Sequence, residues 1–263
     1  MKTIRVLAVG DVVGSRGCEL LRQRLPVLKK HYAIDAVIVN GENSADGNGI
    51  TPRSAEHIFQ SGADVITTGN HTFRRREVYE ELDTSPFLLR PGNYPDSAPG
   101  RGWCLLDRGA YRVAVLNLQG VVYMENLRCP FEEADRMVRE AKEAGAEAVF
   151  VDFHAEATSE KKAMGFYLDG RVTALFGTHT HVQTADERIL SRGTGYLTDL
   201  GMTGCEQESV LGVRADCIID FLRTKMPCRF LPAEGPVSLH GALFSIDPET
   251  AKVTSVRRIA KTE

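Results

Sequence analysis

The chain has 263 residues and a mass of 29.0 kDa, with 43% hydrophobic and 25% charged residues. This ordinary globular composition excludes a disordered chain, a collagen and a coiled coil. The 32 Lys and Arg residues nearly balance the 35 Asp and Glu residues, so the formal net charge is only -3. No apolar run reaches the roughly 18 residues of a membrane span, and we expect neither duplex DNA nor a membrane as a partner.

Short apolar runs alternate with helical patterns in the first part of the chain. The periodicity predicts strands at residues 4–9, 36–39 and 64–67, and helices at residues 18–30, 51–60 and 75–82. Thr51 and Pro52 are typical of a helix N-cap and of a first helical turn.

The second part of the chain adds hairpins to this alternation. Strand pairs are predicted at 103–107 with 112–118, at 188–190 with 196–198 and at 239–246 with 253–259, further strands at 147–153 and 172–176, and helices at 131–144, 159–168 and 210–224. The alternation indicates an α/β protein, whereas the hairpins argue against a purely parallel sheet. We predict one domain over residues 1–263, built on a mixed sheet or on two sheets packed face to face with helices outside.

The six cysteines are scattered along the chain, and no two of them form a Cys-x-x-Cys pair. So few cysteines in a chain of this length do not indicate a disulfide framework or a thiolate zinc site. We therefore expect reduced, mostly buried thiols and a cytoplasmic location. The cysteines are Cys18, Cys104, Cys129, Cys205, Cys217 and Cys228.

Metal-competent side chains follow five of the predicted strands, at the point where each strand ends. In chain order they are Asp11, then Glu42 and Asn43, then Asn70 and His71, then His154, and finally His179 and His181. Since ligands bind outside the carboxyl ends of parallel strands, neighbouring parallel strands would bring these side chains into one crevice. In an extended segment, His179 and His181 would also face the same side, because they are two residues apart.

Carboxylates, amides and imidazoles form a mixed oxygen and nitrogen donor set, which suits zinc, manganese or iron rather than calcium. A catalytic zinc typically takes three protein ligands, so this set is too large for one ion. Seven ligands and a shared water would fill two ions, and two ions roughly 3.5–4 Å apart are a common device for phosphoester hydrolysis. The sequence therefore predicts a dinuclear centre whose bridging hydroxide attacks phosphorus.

Each of these residues also has a structural explanation. Asp11 is equally consistent with capping the following helix, Asn43 with a turn, and His154 with a buried core histidine. The coincidence at five strand ends favours a shared metal site over several independent structural roles. Three other histidines have no cluster of polar residues beside them in the sequence, and we interpret them as structural or surface residues. They are His31, His57 and His240.

The order of these blocks resembles that of the calcineurin-like metallophosphoesterases. The blocks are Gly10-Asp11, Gly41-Glu42-Asn43, Gly69-Asn70-His71, His154 and Gly177-Thr178-His179-Thr180-His181. Two departures from the usual pattern, Val13 in place of a histidine and Glu42 in place of an aspartate, are similar to the YmdB-like branch of 2′,3′-cyclic-nucleotide 2′-phosphodiesterases. The resemblance covers essentially the whole chain.

The resemblance implies a sandwich of two mixed β-sheets flanked by helices on both outer faces. It also implies two metal ions, with iron and manganese as first choices and zinc as a further one. The implied ligands are Asp11, Asn43 and His181 for the first ion, Asn70, His154 and His179 for the second, and Glu42 as a bridge between the two. His71 would be the general acid that protonates the leaving oxygen.

The implied activity is the opening of a 2′,3′-cyclic nucleotide, or of the cyclic end of a short RNA, to a 3′-phosphate. Another phosphoesterase on the same site, such as a phosphomonoesterase or a ribonuclease, is the first alternative. The second alternative is a regulatory protein that binds a nucleotide or a metal with slow turnover, although a pure binder has no need of His71. The sequence is also compatible with a homo-oligomer.

Overall fold

Two β-sheets face each other across a shared apolar layer in the computed structural model, which describes residues 3–109 and 111–262. Residues 1, 2, 110 and 263, which the predicted domain includes, lie outside the described residues. In chain order the strands are β1 (Ile4–Val9), β2 (Asp11–Val12), β3 (Ala36–Asn40), β4 (Val65–Thr67), β5 (Trp103–Asp107), β6 (Arg112–Gln119), β7 (Ala148–His154), β8 (Ala174–Thr178), β9 (Arg188–Ile189), β10 (Gly195–Leu197), β11 (Met202–Cys205), β12 (Ser209–Val210), β13 (Val213–Arg214), β14 (Val237–Ile246) and β15 (Val253–Thr262). The α-helices are α1 (Gly14–Tyr32), α2 (Pro52–Gln60), α3 (Tyr79–Thr84), α4 (Pro130–Glu143), α5 (Thr158–Leu168) and α6 (Ala215–Thr224).

Both sheets are mixed. The first runs in the order β2-β11-β14-β1-β3-β4, with β15 also paired to β14, and its strands β1, β3 and β4 are parallel. The second runs in the order β5-β6-β7-β8-β10-β9, in which β6, β7, β8 and β10 are parallel. The three predicted hairpins are present as antiparallel pairs of β5 with β6, β9 with β10 and β14 with β15.

The central strands divide their side chains between two layers, since successive residues of a strand point to opposite faces. In β1, Leu7 packs with the leucines of α1 on the outer face, whereas Val6 packs between the sheets. In β7, Val151 packs with α4 and α5 on the other outer face, whereas Phe150 lies between the sheets. The two-sheet sandwich with helices on both outer faces is therefore confirmed.

Helix α2 begins where the sequence predicts it, with a reciprocal pair of hydrogen bonds. The Ser54 amide donates to Thr51 Oγ1 at 3.2 Å, and the Thr51 amide donates to Ser54 Oγ at 3.0 Å. Pro52 stands in the first turn, where its missing N–H removes no intrahelical bond. Among the described residues, none of the helices combines the length and the apolar character that crossing a membrane requires.

The segment predicted to be mostly helix, 210–224, is helical over most of its length, but its first residues are not. A short hairpin of β12 and β13 comes first, and α6 begins only at Ala215. At the turn of this hairpin, Leu211 has φ +56 and Gly212 has φ +94, a left-handed backbone that interrupts a helix. The apolar residues of this segment follow a helical period, and the period alone did not reveal the turn.

Two further differences concern short elements of the fold. The predicted helix at 75–82 is replaced by two 3₁₀ turns, Thr72–Arg74 and Arg76–Val78, followed by α3. Strands β2 and β11 pair in parallel, Asp11 beside Met202, and neither has a local sequence signal. The short strand β2 places Asp11 at the edge of the first sheet.

The shared apolar layer generates a first prediction. Phe150 and Phe244 are fully buried and meet edge to face, with 5.8 Å between ring centroids. Phe244→Ala should lower the free energy of unfolding by about 3–5 kcal/mol, because it leaves a cavity between the sheets. Phe166→Ala, at a position that is 62% exposed, is the control and should cost less than about 1 kcal/mol. Urea unfolding followed by circular dichroism compares the two, and equal losses would contradict the inter-sheet role of Phe244.

Candidate metal centre

The carboxyl ends of five strands meet at one edge of the sandwich. Strands β1, β3 and β4 reach this edge from the first sheet, and β7 and β8 reach it from the second. The predicted side chains therefore come together from two facing sheets rather than from adjacent strands of one sheet. Side-chain contacts join all of the predicted site residues into one cluster.

At this edge, the strand positions that point between the sheets carry buried polar residues. In β7, Asp152 and His154 follow Phe150 at alternate positions, and both are fully buried. Asn40 at the end of β3 and Thr178 at the end of β8 are buried beside them. The layer between the sheets is thus apolar in its middle and polar at the edge that holds the site.

The first group of donors surrounds one imidazole nitrogen. His154 Nε2 lies 2.9 Å from Asn70 Oδ1, 3.0 Å from His179 Nδ1 and 3.1 Å from Glu42 Oε1. Candidate ligand atoms of Glu42, His154 and His179 all lie within 4.8 Å of one another. Four potential ligand atoms therefore converge on a space the size of one coordination sphere.

A second group contains Asp11, Asn43 and His181. His181 Nε2 lies 3.6 Å from Asp11 Oδ1 and 3.1 Å from Asn43 Nδ2. Asp11 Oδ1 is buried and has no hydrogen-bond partner among the described residues. The Asn43 amide turns its nitrogen toward His181, so a half-turn of this amide is required before its oxygen joins the donor set.

Glu42 connects the two groups. Its Oε1 contacts His154 Nε2 and accepts a hydrogen bond from Asn43 Nδ2 at 3.3 Å. Its Oε2 accepts from the backbone amide of His71 at 3.0 Å. The carboxylate is 1% exposed, so its charge acts on both groups with little screening by water.

The loop after β8 does not present its histidines in the predicted way. His179 has φ +100 and His181 has φ +63, so the backbone is left-handed at both positions rather than extended. His179 joins the group around His154, whereas His181 joins the group around Asp11. The expectation that they face the same side is therefore wrong, and the turn instead distributes them between the two donor groups.

Each of the three imidazoles has one nitrogen held by an acceptor outside the donor groups. His154 Nδ1 contacts Thr178 Oγ1 at 2.8 Å, His179 Nε2 contacts Glu156 Oε2 at 3.0 Å, and His181 Nδ1 contacts the Leu211 carbonyl at 3.2 Å. Donation to these acceptors leaves the lone pair of the other nitrogen directed into the site. Metal-binding histidines are oriented by outer partners in this way.

Asp152 and Thr178 were not predicted as site residues, yet they determine the tautomer of His154. Asp152 accepts from Thr67 Oγ1 at 2.5 Å and from Thr178 Oγ1 at 2.7 Å, so the single hydroxyl proton of Thr178 is already used. Thr178 Oγ1 must then accept from His154 Nδ1. Asp152 stands two residues before His154 in β7, so both side chains point between the sheets. This two-residue spacing was the sequence signal that could have identified Asp152 as a site residue.

Electrostatics in the cluster favour ionised carboxylates. Burial opposes ionisation of Asp11 and Glu42, but neighbouring imidazoles and hydrogen bonds outweigh it and lower the pKa of both. Burial also opposes a charged His154, whereas the charge of Glu42 and its hydrogen bond raise the pKa of His154 to about 9. Burial and the nearby charge of His154 lower the pKa of His179 to about 3. The carboxylates therefore favour one positive charge close to His154 Nε2.

The donor set fits a metal ion. Glu42 Oε1, Asn70 Oδ1 and His179 Nδ1 are acceptor atoms that lie about 3 Å from His154 Nε2. The raised pKa of His154 places a proton on this nitrogen, directed at the acceptors, and a metal ion would take the place of that proton because the acceptors require a positive charge among them. The unpartnered Asp11 Oδ1 indicates the same requirement in the second group. Oxygen and imidazole donors suit zinc, manganese and iron.

His71 lies at the rim of the cluster. Its side chain is 28% exposed, and its Nδ1 lies 2.7 Å from Asn43 Oδ1. Burial lowers its pKa, partly opposed by the charge of Glu42. Of the histidines assigned structural roles, His240 contacts Glu206 at 3.5 Å, outside the donor groups.

Each comparison with known proteins matches nearly the whole chain. A model described as YmdB-like protein matches residues 7–259. A Bacillus subtilis (strain 168) protein named 2′,3′-cyclic-nucleotide 2′-phosphodiesterase is 45% identical over 256 residues, 97% of this chain and 96% of that protein. A solved structure from Thermus thermophilus has a TM-score of 0.92 at 36% identity, covering 99% of this chain and 100% of that one. A phosphatase structure from Mycoplasma pneumoniae has a TM-score of 0.94 at 32% identity, covering 100% and 95%.

The hydroxyl of Thr178 generates the second prediction. Thr178→Val keeps the shape but removes the acceptor of His154 Nδ1, so the affinity for Mn²⁺ should fall by about 10–100-fold. Thr178→Ser keeps the hydroxyl and should bind Mn²⁺ like the unchanged protein. Competition with a fluorescent chelator measures the affinity, and circular dichroism checks that both variants are folded. Equal affinity of the Val and Ser variants would show that the hydroxyl does not orient His154.

Proposed function

The chain belongs to the YmdB-like protein family, and on that premise we propose that it is a metal-dependent phosphodiesterase that hydrolyses 2′,3′-cyclic nucleotides to nucleoside 3′-phosphates. One observation carries this proposal: the 45% identity, over 97% of the chain, with the Bacillus subtilis protein named for that reaction. The convergence of acceptor atoms from both sheets supports it. Such atoms would bind cations, and phosphodiester hydrolysis needs concentrated positive charge. The whole of residues 1–263 is proposed to act as one catalytic domain.

The proposed ligands follow the two donor groups. They are Asp11, Asn43 and His181 for one ion, Asn70, His154 and His179 for the other, and Glu42 between them. The contacts of Glu42 Oε1 with both groups support the bridging role. Iron or manganese is proposed for both positions, with zinc as a further choice, because the donors are oxygen and nitrogen atoms.

When bound, two such ions would hold the phosphate, stabilise its developing charge and make water a better nucleophile. The chain itself supplies the orientation of the ligands and shields them from solvent. Thr178, Glu156 and the Leu211 carbonyl hold the three imidazoles from outside. Asp11, Glu42 and His154 are all buried, so bulk water does not compete for their ligand atoms.

His71 is proposed as the group that protonates the leaving oxygen. In the overall reaction, an oxygen of water bonds to phosphorus, the bond from phosphorus to the 2′-oxygen breaks, and the 2′-oxygen gains a proton. The side-chain amide of Asn43 contacts His71 Nδ1. After the half-turn that brings the Asn43 oxygen into the donor set, its Nδ2 would donate to this nitrogen, which leaves the ring proton on Nε2 for the leaving oxygen. The partial exposure of His71 supports this role, since a proton donor must reach the substrate.

Phosphomonoesters are a second candidate substrate class, because the Mycoplasma pneumoniae structure with a TM-score of 0.94 is that of a phosphatase. A short RNA that ends in a 2′,3′-cyclic phosphate is a larger substrate of the first class, the 2′,3′-cyclic nucleotides. A cytoplasmic location is part of the proposal: the described cysteines are free, and thiols remain reduced in that compartment.

Turnover of 2′,3′-cyclic AMP by the purified protein tests the proposal directly. With added Mn²⁺ we expect 3′-AMP as the product, resolved from 2′-AMP by chromatography. A chelator should abolish turnover, because the ligands alone do not activate water. Hydrolysis of p-nitrophenyl phosphate without hydrolysis of the cyclic nucleotide would move the function to phosphomonoesters. Tight binding of the cyclic nucleotide with negligible turnover would move it to a regulatory role.

His71→Ala tests the proton donor separately. We expect kcat to fall by about 10²–10⁴-fold, the usual contribution of a general acid, while metal content stays at the level of the unchanged protein. His31→Ala, which alters an exposed histidine of α1, is the control and should leave kcat unchanged. Elemental analysis alongside kinetics separates the roles. Metal content that falls in step with kcat would assign His71 to the metal centre instead.

A further inference from the structure

A cleft of 580 Å³ opens beside the donor cluster, and His71 is part of its lining. Its lining combines apolar with charged side chains. The apolar ones include Val13, Leu211 and Phe230, and the charged ones are Arg16, Asp46 and Arg75. Small-molecule sites in proteins typically measure about 300–1,000 Å³ and combine an apolar surface with a few polar groups. The cleft therefore has the size and character of a ligand subsite that continues from the proposed catalytic group.

Val13 lines this cleft, and two glycines pass close to its side chain. A Cβ added at Gly212 would lie 2.8 Å from Val13 Cγ1, and one added at Gly204 would lie 3.1 Å from Val13 Cβ. This is the position at which the calcineurin-like pattern usually has a histidine. Here an aliphatic side chain therefore contributes apolar surface at the edge of the donor cluster.

Phe230 provides the wall of the cleft. Its ring is 50% exposed, and it meets Phe221 edge to face, with 5.6 Å between centroids at 88°. Leu211, on the same wall, is 47% exposed. Large exposed apolar side chains contribute little to folding stability, but beside a catalytic group they form a platform for a flat ligand.

The wall is also in direct contact with the donor cluster. The Leu211 carbonyl accepts from His181 Nδ1 at 3.2 Å, so the turn between β12 and β13 borders both the cleft and the proposed ligand. Arg75 is anchored by hydrogen bonds to the carbonyls of Asn48 at 3.1 Å and Ala45 at 3.4 Å. A second cleft, of 780 Å³, lies beyond Arg75 and is lined mainly by hydroxyl and charged side chains such as Thr51 and Arg53. Of these two clefts, only the first is lined by both His71 and a phenylalanine.

We propose that the 580 Å³ cleft is the nucleobase subsite, in which a purine or pyrimidine stacks on Phe230 above Val13. The assignment rests on the proposed function for the position of the phosphate. A base linked to a ribose whose 2′- and 3′-oxygens carry that phosphate would extend past His71 into this cleft. Aromatic stacking is sequence-tolerant, so the subsite accepts every base and favours purines, which offer the larger surface.

Kinetics of two substrates test the subsite. They are 2′,3′-cyclic AMP and methyl ribofuranoside 2′,3′-cyclic phosphate, which has the same reacting group and no base. For Phe230→Ala we expect KM for the nucleotide to rise by about 5–100-fold, since stacking contributes about 1–3 kcal/mol per base. The loss of kcat/KM on the nucleotide should exceed that on the base-free substrate at least about fivefold.

Phe230→Tyr should retain the nucleotide KM, and Phe166→Ala is the control for an exposed phenylalanine elsewhere. Equal losses on both substrates, or no loss on either, would overturn the assignment.

Binding of adenosine separates this inference from the proposed function. Adenosine has no phosphate, so its binding, followed by NMR titration of the folded protein, does not depend on hydrolysis. Binding that is lost in Phe230→Ala and kept in Phe230→Tyr would support the subsite even if the protein hydrolysed no cyclic nucleotide. An active protein whose affinities for adenosine and 2′,3′-cyclic AMP were both insensitive to Phe230→Ala would retain the proposed function and lose the subsite.

Discussion

The crowding of acceptor atoms around His154 Nε2 is the constraint on which the rest of the site depends. Asn70 Oδ1, His179 Nδ1 and Glu42 Oε1 lie 2.9 to 3.1 Å from this buried nitrogen. These acceptors require a positive charge among them, which the proton of His154 supplies and which a bound metal ion would supply in its place. A cation held there would lie where a phosphodiester must be stabilised.

The two-sheet architecture makes this crowding possible. Inward positions between the sheets are apolar along most of their length, as at Phe150 and Phe244, and this packing joins the two facing sheets. At the carboxyl edge the same inward positions become polar. Asp152 and Thr178 are satisfied there by hydrogen bonds to each other and to their neighbours, so they form a rigid support behind His154 rather than a further set of ligands. The apolar layer and the donor cluster are thus two parts of one packed interior.

In our proposal, the surroundings of the cluster decide what it acts on. Relatives of similar length share the fold, and dinuclear metal centres serve many phosphoesters, so the proposed subsite assigns the discrimination between substrates to the walls of the adjoining cleft. In the proposed subsite those walls come from the hairpin of β12 and β13 and from the residues after α6. Phe230 and Leu211 are exposed there, and the proposed subsite gives a functional reason for these apolar side chains outside the core.

The sequence by itself determined the strands that carry the site, the residue types at their carboxyl ends and the family, because strand periodicity and short motifs are local properties of the chain. Helix α2, the three hairpins and the site residues from Asp11 to His181 were all visible in this way. Only the tertiary structure decided that the strand ends come from two facing sheets, and that the backbone at His179 and His181 is left-handed rather than extended. It also decided that Asp152 sets the tautomer of His154 through Thr178. The physical reason is that left-handed loop conformations and hydrogen bonds between strands depend on partners far away in the chain, as in the pairing of Asp11 with Met202, which a local pattern does not contain.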